Sequence, residues 1–273
     1  MTAAARSPRR SSAAIGVGRT RLPLRGFYLV LLAFLYLPIL LLFLFAFSAN
    51  RGLTFPIQGL TFDRFASVLE NRQMLTAARN SLLVAVMAAT AATALGLAVG
   101  VAATRLRFAG RGLLVGLAAA PLLIPYVVLA VGLFLMFTLL DVPRGIFTVA
   151  AAHSVIALPY ATLILLARLL GLDPALEDAA MDLGASYPTT LRKVILPLLG
   201  PSLISAWLTC FIVSFDEIAI ANLLAGRDAT FPVFLYGQLR FAGQVPVLVA
   251  MAVLLLIGTL LLTILAQQIR SRD

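Results

Sequence analysis

Long apolar runs, separated by short segments that carry the charges, dominate this sequence. A helix needs roughly 20 apolar residues to cross the hydrocarbon core of a bilayer, and each run is about that long or longer. Hydrophobic residues make up 62% of the 273, which excludes an ordinary water-soluble domain. We therefore predict an all-α, multi-pass membrane bundle of about six transmembrane helices, over residues 27–47, 76–103, 112–139, 146–170, 200–222 and 246–267.

The positive side chains between these runs indicate how the chain crosses the membrane. If the N-terminus is cytoplasmic, the inner segments hold 14 of the 21 positive residues and the outer segments hold 7. Cytoplasmic segments of membrane proteins are enriched in lysine and arginine, so we predict that both termini are cytoplasmic. This distribution also accounts for the net charge of +10, and we expect a lipid bilayer as partner and no nucleic acid.

The first run resembles a secretory signal, because an arginine-rich start precedes it and the small residues Ala46 and Ser48 follow its apolar core. That core exceeds the roughly 7–15 apolar residues of a signal peptide, so we interpret it as an uncleaved anchor. The Ser, Arg and Ala content of the start predicts a disordered, basic cytoplasmic tail over residues 1–26. We expect one transmembrane domain over 27–267 and a short cytoplasmic tail over 268–273.

Glycines and prolines occur within the second, third and fourth apolar runs. Gly96 and Gly100 lie among alanines in the second run and predict a surface that another helix backbone can approach closely. Pro121, Pro125 and Pro159 interrupt the third and fourth runs, which membrane helices tolerate when neighbours satisfy the freed carbonyls. A kink beside a pathway and ordinary helix packing both fit these prolines.

Residues 173–197, between the fourth and fifth runs, form the longest polar-bearing segment of the chain. Asp173 followed by Pro174 predicts a helix start, since aspartate caps free N–H groups and proline suits the first helical position. Gly184 predicts a left-handed turn that ends this helix. A second short helix is expected over about residues 186–193, at the membrane surface. Such a hairpin could merely connect two spans.

The first of these predicted helices carries acidic residues near its start and an apolar stripe along one face. Glu177 and Asp178 fall in or just after the first turn, where the helix dipole favours acidic side chains. The stripe consists of small and medium side chains at helical spacing: Leu176, Ala179 or Ala180, and Leu183.

The segment resembles the EAA signature of ABC importer permeases, which reads Glu-Ala-Ala, three residues, Gly, nine residues, Ile, any residue, Leu-Pro. Here Asp178-Ala179-Ala180 is followed by Gly184 at the required spacing, and Val194 and Leu196-Pro197 occupy the distal positions. Asp178 stands where the family usually has glutamate, and Val194 where it has isoleucine. The adjacent Glu177 could compensate for the shorter carboxylate.

In that family the segment is the coupling helix, which docks into a cleft of a cytoplasmic ATPase and transmits its closure to the membrane helices. The resemblance therefore implies a docking role, and a set of residues that perform it: Glu177, Asp178, Ala179, Ala180, Gly184, Ala185, Leu196 and Pro197.

Across nearly the whole chain the resemblance is closest to the spermidine/putrescine permease group. It is carried by Tyr36-Leu37-Pro38-Ile39, Pro121-Leu122-Leu123-Ile124-Pro125, Ser214-Phe215-Asp216-Glu217 and Phe231-Pro232-Val233. This implies an importer in a bacterial cytoplasmic membrane, with a polyamine or another small solute as cargo. It also implies three kinds of protein partner: an ATPase dimer, a second, distinct permease, and an extracytoplasmic solute-binding protein.

The chain itself has no phosphate-binding loop. Such a loop requires Gly-x-x-x-x-Gly-Lys-Ser/Thr, and the only lysine, Lys193, lacks those glycines before it. We therefore expect the partner ATPase to bind ATP and magnesium, and this chain to bind no cofactor and to catalyse no reaction. The single cysteine, Cys210, excludes an intrachain disulfide and a cysteine-based metal cluster.

Three polar residues within the apolar runs are candidates for the substrate path. Asp216 and Glu217 lie toward the outer end of the fifth run, and charges in hydrocarbon are costly enough that they should face an interior, a cavity or the interface. Successive helical residues point about 100° apart, so one carboxylate could face a cationic solute while the other pairs with Arg240 or His153. His153, the only histidine, is either a packing group or a ligand.

Other classes of protein fit the sequence less well. A serine-type membrane enzyme would need a placed base, but His153 and Ser154 are adjacent and point to diverging helix faces. An ATP-independent secondary transporter would more naturally show paired broken helices from an inverted repeat, which we do not find. A purely structural membrane scaffold is the third alternative.

Overall fold

A computed structural model describes residues 21–270, and helices account for most of them. No strand is formed within this range, where the only bridge pairs Ser48 with Leu60. Of the disordered tail predicted over residues 1–26, residues 1–20 lie outside the described residues, and residues 21–26 belong to the first helix instead. Of the tail predicted over residues 268–273, residues 271–273 lie outside the described residues, and residues 268–270 belong to the last helix. In chain order the helices are α1 (Arg21–Ala46), α2 (Asp63–Glu70), α3 (Arg72–Arg105), α4 (Arg111–Ala119), α5 (Tyr126–Leu139), α6 (Ile146–Leu170), α7 (Ala175–Asp182), α8 (Tyr187–Thr190), α9 (Leu196–Phe215), α10 (Ala219–Leu224), α11 (Phe231–Gln238) and α12 (Val245–Arg270).

Within this range, five helical stretches are long and apolar enough to cross a membrane, and a bent pair of helices supplies a possible sixth. This confirms the predicted all-α membrane bundle of about six spans. Helix α1 begins at Arg21, ahead of the boundary predicted at residue 27. The straight stretches are Leu24–Ala46, Arg72–Arg105, Ile146–Leu170, Tyr187–Phe215 and Ala242–Leu261.

The third run does not form the single helix predicted over residues 112–139. Its two halves, Arg111–Leu123 and Tyr126–Leu139, meet at 110°. Ile124 at the corner is extended, with φ −98° and ψ 127°, because a residue before proline avoids the α region. Pro125 then precedes α5, where its missing N–H costs nothing. Pro159, by contrast, lies inside an unbroken α6.

The fifth run also differs from the prediction at both ends. The helix expected over residues 200–222 ends at Phe215, and a separate short helix, α10, follows. At the other end, α8 continues through a π-helical turn at Leu191–Ile195 directly into α9. A π turn widens the helix, which can accommodate Pro197, whose ring would otherwise clash with the carbonyl of the preceding turn.

Helices α3, α6 and α9 form the centre of the bundle, and α3 and α6 are packed most extensively. Their contact depends on small side chains. A Cβ atom on Gly96 would lie 2.7 Å from Cβ of Ala161 and 2.8 Å from the backbone nitrogen of Thr162. The close helix approach predicted at Gly96 is therefore confirmed. Both candidate sites described below, the segment after α6 and the break after α9, adjoin this closely packed centre.

Candidate functional site

The segment after α6 folds as one capped helix and a sharp turn. Oδ1 of Asp173 accepts a hydrogen bond from the backbone nitrogen of Ala175 at 3.0 Å, as expected of a helix start. Gly184 has φ +85°, so the predicted left-handed turn is present. Two backbone hydrogen bonds close it, from Gly184 to the carbonyl of Met181 at 2.9 Å and from Ala185 to that of Ala180 at 3.1 Å. Together they hold the end of α7 in a defined shape.

The second surface helix predicted over residues 186–193 is not a separate element. Residues from Tyr187 onward belong to the helical stretch that continues to Phe215. The segment is thus one short helix, a turn, and the beginning of a spanning helix. Leu196 and Pro197, two residues of the predicted docking set, lie at the start of α9, where Leu196 is half-buried and Pro197 exposed.

The outer face of α7 has no cover from the described part of the chain. Asp178 and Ala179 are exposed on this helix, and Leu183 just after it is 90% exposed. Leu176 and Met181 are also exposed, and no atom lies within 4 Å of the position a Cβ would take on Gly184. The apolar stripe predicted for this helix therefore points away from the bundle.

Glu177 points in the opposite direction. It is 8% exposed, and its Oε1 lies 2.6 Å from Nη2 of Arg105, the last residue of α3. The same Arg105 nitrogen donates to the carbonyl of Leu169 near the end of α6, at 3.3 Å. The idea that Glu177 compensates for the shorter carboxylate of Asp178 therefore fails, because its side chain is used inside the chain. No pattern in the sequence indicated that Arg105 would contact this segment.

The candidate substrate-path residues cluster where α9 ends. Nδ1 of His153 lies 2.8 Å from Oγ of Ser214, and Nε2 lies 3.2 Å from Oε2 of Glu217. His153 is fully buried and Glu217 nearly so. Of the two pairings predicted for a carboxylate here, the structure has the one with His153. Arg240 instead donates to the carbonyl of Gly237 at 2.8 Å.

Glu217 also caps the next helix. Its carboxylate accepts hydrogen bonds from the backbone nitrogens of Ala219, Ile220 and Ala221, at 2.7 to 3.1 Å. A carboxylate at this position satisfies N–H groups that have no partner within the helix. Glu217, which was predicted to lie within a continuous span, is therefore the cap of α10. It stabilises the break between α9 and α10.

Asp216 differs from its neighbour, because its side chain is exposed and has no ion-pair partner among residues 21–270. It lines two cavities. One, of about 490 Å³, lies beside Tyr36, Phe215 and Leu256; the other, of about 500 Å³, lies beside Phe231 and Leu235. Of the three candidates, only Asp216 presents its charge to open space.

Aromatic residues near this break make contacts that were not predicted from the sequence. Trp207, Phe211 and Phe215 stack along one face of α9, with ring centroids 5.4 and 5.7 Å apart. Their spacing of four residues is a signal that could have revealed the stack. The hydroxyl groups of Tyr126 and Tyr160 lie 3.3 Å apart, a contact created by the bend before α5 that the sequence does not indicate.

Curated relatives of this chain are bacterial transport permeases. The chain is 34% identical over 250 residues to the spermidine/putrescine transport system permease protein PotC of Escherichia coli K12, covering 91% of this chain and 93% of that protein. It is 33% identical over 231 residues to the putrescine transport system permease protein PotI of the same organism, covering 82% of each. The PotC protein of Haemophilus influenzae is 32% identical over 250 residues, covering 91% of this chain and 96% of the relative.

Solved structures share the fold. A chain of a bacterial ABC transporter involved in the import of the acidic polysaccharide alginate matches with a TM-score of 0.71 at 18% identity, over 92% of this chain and 98% of that one. The family model described as "Binding-protein-dependent transport system inner membrane component" matches residues 92–272. With the sequence relatives, this shows that the chain belongs to the family of inner membrane permease components of binding-protein-dependent transport systems.

Proposed function

We propose that this permease is one subunit of an ATP-driven importer and that α7 with its Gly184 turn is the surface on which the ATPase docks. One observation carries this proposal: an exposed, apolar helix face is held rigidly by a cap, a closed turn and a buried ion pair, yet no described residue covers it. An uncovered apolar stripe with anchors at helical spacing suits a groove on another protein. The match to the EAA signature supports an ATPase as that protein.

ATP hydrolysis would then occur on the partner. The sequence carries no phosphate-binding loop of the Gly-x-x-x-x-Gly-Lys type, so binding of ATP and magnesium is assigned to the separate ATPase dimer. The cytoplasmic location of the docking surface agrees with the arginine-rich segments on the same side, and both termini lie there as well.

The chain forms half of a translocation pathway, and a second, distinct permease supplies the other half. Helix α5 offers an apolar surface for this partner, because Val127, Val128 and Leu135 are exposed along it. A solute-binding protein delivers the cargo at the outer face, and the description of the family's transport systems as binding-protein-dependent supports this partner.

A polyamine is the cargo that the relatives and the site favour. Two relatives are named for spermidine and putrescine, or for putrescine alone. Asp216 offers an unpaired carboxylate beside two cavities whose walls include aromatic rings, which suits a flexible chain bearing ammonium groups. His153 and Glu217 are assigned to holding the helix break and not to solute contact, since their polar atoms are already paired.

Reconstituted vesicles test this function. The chain is incorporated with its second permease and ATPase, the binding protein is added outside, and uptake of radiolabelled spermidine is followed with ATP inside the vesicles. Uptake should require ATP, the binding protein and an ATPase competent for hydrolysis. Accumulation that continues without ATP would instead identify a secondary transporter, and uptake of another small solute in preference to polyamines would reject the cargo.

A further inference from the structure

The ion pair between Arg105 and Glu177 joins α7 to α3 and α6, the two helices that pack most extensively against each other. Glu177 belongs to α7, Arg105 ends α3, and the carbonyl of Leu169, which Arg105 also contacts, belongs to the last turn of α6. Apart from this pair, α7 packs mainly against α8 and the π turn that follow it in the chain.

The pair is built to hold its geometry. The side chains of Arg105 and Glu177 are 12% and 10% exposed, and their charged atoms are 2.6 Å apart. Burial protects such a contact from the screening by water and salt that weakens surface ion pairs. An arginine that serves a carboxylate and a carbonyl together fixes the relative position of all three groups.

The spanning helices that it joins are also the most extensively packed part of the bundle. Helices α3 and α6 are the most extensively packed pair, and Gly96 brings their backbones close enough that a Cβ would not fit. A displacement of α7 that passes through Arg105 therefore reaches two spanning helices together. Without it, the displacement would pass through the loop before α7, the turn at Gly184 and the contacts of α7 with α8 and the π turn.

We propose that Arg105, through Glu177, is the positioning residue that makes the ATPase-docking segment move as one body with α3 and α6. This inference rests on the proposed function, because it requires that the ATPase acts on α7. In this proposal Glu177 transmits the motion of α7 to α3 and α6. The exposed residues of α7, in contrast, form the docking surface.

The test uses the complete reconstituted transporter and measures two quantities for each variant. The first is the amount of ATPase that copurifies with the chain, and the second is the number of solute molecules imported per ATP hydrolysed. E177Q and R105E should retain the ATPase but lower the solute imported per ATP by at least about fivefold, within the usual range of coupling between sites. R105E combined with E177R should recover part of this ratio, because opposite charges again face each other. R107E, at an exposed arginine two residues further along, is the matched control and should leave the ratio unchanged.

Three results would overturn the inference. The first is a wild-type ratio in E177Q and R105E; the second is loss of the ATPase from those variants, which would make the pair a support for docking alone. The third is a double reversal no better than the single ones. Failure of the proposed function has a different outcome, since the ATPase would then not copurify with the unaltered chain.

Discussion

Oε2 of Glu217 lies 3.2 Å from Nε2 of the fully buried His153, and the same carboxylate receives three backbone N–H groups at the start of α10. Ser214 contacts the other nitrogen of the imidazole ring at 2.8 Å. This contact ties α6 to the break after α9. After the break at Phe215, the Glu217 carboxylate supplies acceptors for the free N–H groups at the start of α10, which an apolar environment would otherwise leave unpaired.

Removal of the Glu217 carboxylate should therefore destabilise the protein. Glu217→Ala leaves Nε2 of His153 and three backbone N–H groups without this partner, and a buried donor left unsatisfied typically costs about 1–3 kcal/mol. Thermal unfolding of the purified chain in detergent should show a clear decrease in midpoint. Glu217→Gln keeps a side-chain oxygen for the backbone and should lose less. Equal midpoints for the alanine variant and the unaltered protein would contradict the role as a cap.

Replacement of Asp216 should alter solute affinity and leave the fold intact. Asp216→Asn removes an exposed, unpaired charge beside two cavities. We expect the apparent KM for spermidine to rise roughly tenfold, equivalent to about 1.4 kcal/mol of lost attraction. Asp216→Glu, which keeps the charge, should change KM much less, and the unfolding midpoint of both variants should be unaltered. Unchanged uptake kinetics in Asp216→Asn would remove this residue from the path.

A single methyl group should disturb the centre of the bundle at Gly96. The new Cβ would lie 2.7 Å from Cβ of Ala161, and the nearby backbone cannot move away as a flexible side chain would. Overpacking of this kind costs about 1–3 kcal/mol, so Gly96→Ala should lower the unfolding midpoint. Gly258→Ala is the matched control, because no atom lies within 4 Å of that position in α12. The account of helix packing fails if both variants unfold alike.

We expect the left-handed turn at Gly184 to be required for coupling ATP hydrolysis to uptake, and not for insertion of the chain into the membrane. The site has open space around it, but φ +85° is strained for most residues that carry a Cβ atom, at a cost of roughly 1–2 kcal/mol. Gly184→Leu should insert normally and bind ATP-loaded ATPase poorly, so that hydrolysis no longer drives uptake. Gly184→Asn, which tolerates this conformation, should retain most uptake. Normal uptake by Gly184→Leu would contradict the importance of the turn.

Local signals in the sequence predicted the features that depend on neighbouring residues. Apolar length predicted the spans, Asp173 predicted a cap, and Gly184 predicted a left-handed turn. The same sequence did not predict that the span is bent at Pro125 while α6 continues unbroken through Pro159. Each proline disfavours the α region for the residue before it, so this local rule does not distinguish the two sites.

The direction of Glu177 also could not be read from its surroundings in the chain. Two adjacent acidic residues, Glu177 and Asp178, look equivalent in sequence, yet one is buried against Arg105 and the other is exposed. Their difference depends on where α3 ends, far from them in the chain. Likewise, the end of α9 at Phe215 depends on the Glu217 cap and on its partner His153 from α6.

The central claim is that the exposed face beside α7 is held by a cytoplasmic ATPase during transport. A photo-crosslinking amino acid at Leu183, which is 90% exposed, tests it most directly in the assembled transporter. The same probe at Leu139, which is exposed at the end of α5 and predicted to lie on the opposite side of the membrane, is the control. We predict a crosslink to the ATPase from position 183 that changes in yield with ATP, and none from 139. Absence of a crosslink from 183 in a complex that still imports solute would contradict the account.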